Sequence, residues 1–193
     1  LGGPIVRDRA HFFFSYEAKD FVTPSPPVSV PTQWASFESQ LPADVQAQLG
    51  PETAPFNEDL YFAKLTWDIS MDDRVEFSMK RREEEGRTDV GNRTTASASK
   101  INFNTDDRYD LRWIHYGASF INEARITYED SLFNPAPYNI GNQSVYTRGI
   151  NANDVLVQSD STSSLAIQRK GQKGPAFQND ITFNALQWNG DHV

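Results

Sequence analysis

The chain has no cysteine, which excludes disulfide frameworks and thiolate metal sites together. It also lacks any run of about 20 apolar residues, the length a membrane helix needs, and its mean hydropathy is −0.60. A helical membrane span is thereby excluded. A membrane barrel is not, because only alternate residues of its strands face lipid and the average stays polar. Positive charge is scarce: 18 Lys and Arg stand against 26 Asp and Glu, giving a net charge of −8 and a pI near 4.8. A nucleic-acid partner would want a basic stripe, so none is expected. Catalytic signatures are missing as well. No GxSxG, Walker loop or GxGxxG occurs, and "LGGP" reads as a turn and strand end. His11, His115 and His192 are scattered and form no HExxH-like pair, so zinc is not expected. Carboxylates in so acidic a chain specify no acid and base without geometry. The chain is read as a non-enzyme with no cofactor, and no catalytic, cofactor-binding, metal or ligand-binding residue is assigned.

What the chain does have is period two. In "RVEFSMKRREEEGR" (74–87), Arg74, Glu76, Ser78, Lys80 and Arg82 share one parity and Val75, Phe77 and Met79 the other. In "LYFAKLTWDIS" (60–70), Tyr61, Ala63, Leu65, Trp67 and Ile69 alternate with Lys64, Thr66 and Asp68. "DRYDLRWIHY" (107–116) sets Tyr109, Leu111 and Trp113 against Arg108, Asp110 and Arg112, and "NEARITYED" (122–130) sets Ala124, Ile126 and Tyr128 against Glu123, Arg125, Thr127 and Glu129. "AFQNDITFNALQW" (176–188) carries Phe177, Ile181, Phe183 and Ala185 on one parity; "HFFFSYEAKDF" (11–21) alternates less cleanly because Phe13 shares the parity of Ser15 and Glu17. Helical spacing fits none of these segments as well, so each is expected to be a strand.

The connections alternate too. Short ones fall at 5–10, 70–73, 116–122 and 188–192, small enough for hairpins. Long ones run from about Val22 to Glu58, Glu84 to Asp106 and Ser131 to Pro175. Soluble domains rarely carry unstructured loops beyond roughly 12 to 15 residues. A short-long rhythm puts every long loop at one end of an up-and-down antiparallel sheet, the asymmetry of outer-membrane barrels. Within the first long loop, Ser39 to Leu49 suits a helix. Aromatic rings fall where two interfaces would want them. Trp67 and Trp113 precede short turns and Trp188 sits at one, while Tyr16, Tyr61, Tyr109, Tyr128 and Phe177 lie towards the long-loop ends. The expected fold is all-β: a transmembrane antiparallel up-and-down β-barrel, present as about seven strands with long extracellular loops. A half-buried soluble β-sandwich shares the alternation and stays open as the alternative.

"LGGPIVRDRAHFFFSYE" resembles a segment early in the barrel of Oar-like TonB-dependent outer-membrane receptors, whose full chains usually begin with a carboxypeptidase-regulatory-like domain. "NEDLYFAKLTWDIS" with "DRVEFSMKRR", then "FINEARITYED", then "GPAFQNDITF" and "GDH" agree in kind and order, whereas the long loops do not. The resemblance implies that residues 1–193 are a partial barrel domain from the early-to-middle part of the barrel, with no plug domain, TonB box or C-terminal closing strand. Starting at Leu1 and stopping at "WNGDHV" inside a strand pair agrees with a fragment. It further implies the outer membrane of a Gram-negative-type bacterium, with transport or reception of an unknown extracellular ligand. The partners would be outer-membrane lipid, the remainder of the barrel and its plug, and the inner-membrane TonB system through segments outside this stretch.

On that view Val75, Phe77 and Met79 face lipid and Arg74, Glu76, Ser78, Lys80 and Arg82 face the lumen. A mid-membrane charge on the lipid face costs about 2 to 4 kcal/mol, so the off-pattern Arg81 and His115 are expected near the upper and lower strand ends. The lumen charges Arg74, Lys80, Arg108, Asp110, Arg112 and Arg125 are expected in cross-strand ion pairs, with contact to substrate or plug as the sharper reading. "KRREEE" (80–85) is read as a strand entering a solvated loop rather than a partner patch. "NANDVLVQSDSTS" (151–163) has oxygen ligands suited to calcium without EF-hand spacing, and the sequons "NRT" and "NQS" carry little meaning in such a protein. Two further readings remain: an outer-membrane adhesion or assembly protein anchored by its barrel, and a soluble sandwich binding module.

Overall fold

The computed structural model describes residues 1–149, 154–162 and 168–183, with the backbone of 186–187 and 191–192. The fold is all-β. Strands β1 (Gly2–Val6), β2 (Ala10–Val28), β3 (Gly50–Asp68), β4 (Asp73–Thr88), β5 (Lys100–Tyr116), β6 (Phe120–Pro137) and β9 (Lys170–Phe183) pair in chain order into one antiparallel seven-stranded sheet. Two small hairpins stand apart from it: β7 (Ser144–Thr147) with β8 (Val155–Ser159), and β10 (Leu186–Gln187) with β11 (Asp191–His192). No described helix is long and apolar enough to cross a membrane.

Tight turns close one end of the sheet. Asp8 takes φ 59° in the turn between β1 and β2, a left-handed conformation that a short polar side chain tolerates. Between β3 and β4, Ser70 Oγ donates to Asp73 Oδ2 at 2.9 Å and accepts from the Asp72 amide at 3.2 Å. The hairpin expected at 188–192 appears as the β10–β11 ladder, and its residues 188–190, with Trp188, lie outside the described residues.

At the other end the strands outrun the sequence-based limits. β2 continues to Val28 and β3 begins at Gly50, so the first long connection shortens to 29–49; β5 begins at Lys100 and β6 continues to Pro137. At the end of β2, in "TPSPPV", both parities are polar or proline up to Val28. In the other extensions isolated apolar residues such as Phe56, Ile101, Phe103, Leu132 and Phe133 stand among polar ones and proline, so periodicity carries little signal there. Ladder hydrogen bonds hold them instead, with one irregularity between Ser25 and Val28. The first loop holds 3-10 turns over Thr32–Gln40 and a helix over Ala43–Gln46; only the second falls within the expected Ser39–Leu49 stretch.

Among the described residues the buried apolar cluster lies at the loops, and Ile114 on β5 is the one buried apolar residue elsewhere in the sheet. Val28, Val30, Leu41, Val45, Leu156 and Val157 are buried together, with Trp34, Phe37, Leu49 and Tyr146 packed round them. These residues come from the end of β2, from the first loop and from the β7–β8 hairpin of the third. The second loop joins through backbone bridges from Asn92 to Val28 and from Thr94 to Gln158. One loop unit thus caps the long-loop end of the sheet.

Candidate functional site: two faces of one sheet and its cap

Register partners in a sheet share a face, so the ladders sort every strand residue. One row reads Phe12, Leu65, Phe77, Leu111, Ile126 and Phe177 across six strands. The row below reads Ala10, Trp67, Val75, Trp113, Ala124 and Asn179, and the row above Phe14, Ala63, Met79, Tyr109, Tyr128 and Pro175. The next row begins Tyr16 and Tyr61 and then turns ionic with Arg81, Asp107, Asp130 and Lys173. From Trp67 to Tyr61 the belt rises about 20 Å along the strand, close to the ~25 Å apolar band of a membrane barrel.

No described residue covers this belt. Phe177 is 71% exposed, Trp67 54% and Ile126 50%. A continuous apolar surface of this kind marks a binding or membrane face rather than ordinary protein surface. Trp67 and Trp113 share the lower row, and the ring centroids of Tyr16 and Tyr61 lie 5.0 Å apart in the upper one. Phe177, expected with the upper rings, sits in the middle row instead.

Off-pattern charges fall at the belt's margins: His115 lies near the lower strand end as expected, whereas Arg81 lies in the middle of β4, because that strand continues to Thr88. Arg81 reaches Asp107 at 3.5 Å and also pairs with Glu83, and Lys173 pairs with Asp130 at 2.5 Å. At the lower margin the ring of His115 meets Asp73 Oδ1 at 2.9 Å, and Trp113 Nε1 donates to the same oxygen at 3.0 Å.

The opposite face is ionic. Lys64 and Arg112 share Glu76 at 3.2 and 3.6 Å, Arg112 also holds Glu123 at 2.5 Å, and Arg74 bonds Asp68 at 2.7 Å. Lys80 pairs with Asp106, and Arg82 with Glu58 and Glu84. Arg74, Lys80 and Arg112 thus pair across strands as expected. Arg108 does not: it binds Asp110 two residues along its own strand at 3.0 Å. Within "KRREEE" the first four charges and Glu84 are spent on these pairs.

The polar face also carries aromatics that the alternation left ambiguous. Phe13 lies on it, 6.1 Å from Phe62 between ring centroids, and Phe21 stacks on Phe56 at 4.9 Å. Above the tyrosine row, outside the belt, Glu58 is only 6% exposed and takes Lys19 at 2.6 Å together with Arg82. Lys19 and then Arg82 hold its carboxyl below the ordinary carboxylate range.

Sequence reasoning missed the cap. Its only signals were the short apolar runs around Val28–Val30 and "VLV" at 155–157, too short to assign to a partner. Within "NANDVLVQSDSTS", residues 151–153 and 163 lie outside the described residues. The described part forms β8 and buries Ser159, Ser161 and Thr162 in the cap. Among the described residues no group of three or more His, Cys, Asp or Glu could hold a metal ion. A hollow on the cap is lined by Ser29, Pro31, Gln33, Trp34, Asn92 and Arg93, and the guanidinium of Arg148 lies 5.4 Å from the Trp34 ring centroid. Of the sequons, Asn92 bridges to Val28 within the cap and Asn142 is exposed just before β7.

Comparison with protein-family models, with curated proteins and with solved structures finds no match to this chain.

Proposed function

We propose that this chain forms part of the wall of a transmembrane antiparallel β-barrel in the outer membrane of a Gram-negative-type bacterium, a receptor or transporter of the TonB-dependent kind its sequence resembles. The observation that carries this reading is the belt: three apolar rows, bounded by tryptophan below and tyrosine above, on a sheet with no core beneath it. Lipid would solvate the belt, while the ionic face would line a lumen filled by water and a plug. Both edges of the sheet offer unpaired backbone groups, which lipid cannot satisfy, so the reading requires further strands. The cap would present the surface that meets an extracellular ligand, with the hollow beside Trp34 as the entry point. TonB coupling would run through segments beyond this stretch.

The test is labelling of Phe77→Cys and Ser78→Cys in membranes, which a chain without native cysteine permits. Position 77 is expected to react only with an apolar, lipid-soluble reagent and position 78 with an aqueous one. Equal protection of both positions, or no membrane association, would sink the barrel and favour a soluble sandwich. A second reading draws on the cap itself. Three loops knitted round one core make a firm outer surface, which suits adhesion or assembly with the barrel as anchor.

A further inference from the structure

One placement on the ionic face runs against the rest. Arg112 on β5 and Arg125 on β6 are register partners, so their Cα atoms lie about 5 Å apart with both side chains on one face. Like charges set directly opposite destabilise a sheet. The chain is strongly acidic, at net −8, and could have supplied a carboxylate there. Glu76 and Glu123 attend Arg112, yet its Nε is buried with no hydrogen-bond partner. Arg125 forms no ion pair among the described residues. The nearby Asp110 is already engaged by Arg108 at 3.0 Å and by the Thr127 hydroxyl at 2.5 Å. Both arginines line a hollow of about 240 Å3 with Lys64, Glu76, Arg108 and Asp110. Its lining holds four cations and two carboxylates, and with Glu123 counted on Arg112 from outside the lining the cluster is left one charge positive.

We infer that this hollow receives an anionic group of carboxylate or phosphate type, held by Arg125 and Arg112. A guanidinium presents a planar fork of donors that matches a two-oxygen anion. Two forks side by side gain from an anion what they lose to each other without one. On the barrel reading proposed above, the group can come from a small anion in the lumen or from an acidic side chain of a segment that fills it; the chemistry is shared.

The experiment compares thermal unfolding of the full natural chain in detergent with Arg125→Glu and Arg125→Gln variants. The sign decides. If an anion occupies the hollow, Arg125→Glu brings like charge against it and lowers the melting temperature by several degrees, and Arg125→Gln lowers it less. If nothing occupies it, Arg125→Glu pairs with Arg112 and relieves the repulsion, so the melting temperature holds or rises. The second variant keeps the test decisive should the first fail to fold. Inorganic phosphate and succinate, added against chloride at constant ionic strength, separate the sources. A rise for the natural chain, with about tenfold weaker phosphate binding in Arg125→Gln, assigns a free anion. No response, with both variants below the natural chain, assigns a carboxylate of the protein itself. Unchanged or raised melting in both variants, without a phosphate response, overturns the proposal. The register opposing the two arginines belongs to the sheet, so this outcome is separate from the labelling outcome at Phe77 and Ser78.

Discussion

The hydroxyl of Ser97 donates a 2.6 Å hydrogen bond to Oε1 of Gln48, which joins the second long loop to the first across 49 residues of chain. The same hydroxyl lies 3.3 Å from Ser159 Oγ and accepts from the Asp160 amide at 2.9 Å. One oxygen therefore meets all three long loops. Removing it in Ser97→Ala leaves Gln48 and the Asp160 amide short of a partner, at a cost of about 1 to 3 kcal/mol. Limited proteolysis in membranes under rising urea should show all three loops becoming cleavable together at lower urea, with the belt strands still protected. Cleavage confined to the second loop would mean that the loops are independent.

Gly91 tests the same unit through its backbone. It takes φ +108°, and a Cβ there would lie 2.4 Å from the carbonyl oxygen of Pro26. That oxygen belongs to the chain and cannot swing aside, and the conformation itself disfavours a side chain. Gly91→Ala should loosen the cap by more than about 1 kcal/mol, read as a lower urea midpoint for loop cleavage. An unchanged midpoint would show that the second loop does not press on Pro26 in the membrane.

The belt makes an asymmetric prediction about charge. Leu111 lies in the middle apolar row, and Ser78 lies on the ionic face one residue along β4 from Phe77 of that row. Leu111→Arg should cost about 2 to 4 kcal/mol in folding into bilayers, whereas Ser78→Arg should cost well under that. Equilibrium urea titration in lipid vesicles measures both. Equal costs would remove lipid from the belt face.

Glu58 gives a dependence on pH. Its carboxyl is held below the ordinary value of 4.5 by Lys19 and Arg82. A depressed folded pKa contributes stability that is present above the unfolded value and lost as pH falls through the folded one. Both cations remain in contact with water, so Glu58→Gln should cost only about 1 to 2 kcal/mol at neutral pH. The gap between variant and natural chain should narrow steadily below pH 4.5. Unfolding midpoints at stepped pH check this, and a gap that stays constant into acid would show that Glu58 is uncharged or unpaired in the fold.

The identity of the long strands, the face of most of them and the tight turns were legible in the residues themselves, whereas β7 and β8 lay hidden in what reads as a long loop. Side chains alternate across a strand with period two, so "RVEFSMK" declares which residues travel together wherever the strand is placed. The place of His115 near a strand end followed from the same count; that of Arg81 did not, since β4 runs on to Thr88. Tertiary structure decided what the period cannot encode. How far β2 and β3 run past Phe21 and Leu60 depends on ladder bonds between polar and proline-rich stretches with no oily parity to announce them. Burial of Val28 against Val157, and the link from Gln48 to Ser159 across 111 residues, depend on loops meeting after the strands have aligned. The opposition of Arg112 and Arg125 likewise exists only through register, since local sequence sets which face a side chain takes and pairing alone sets what stands beside it.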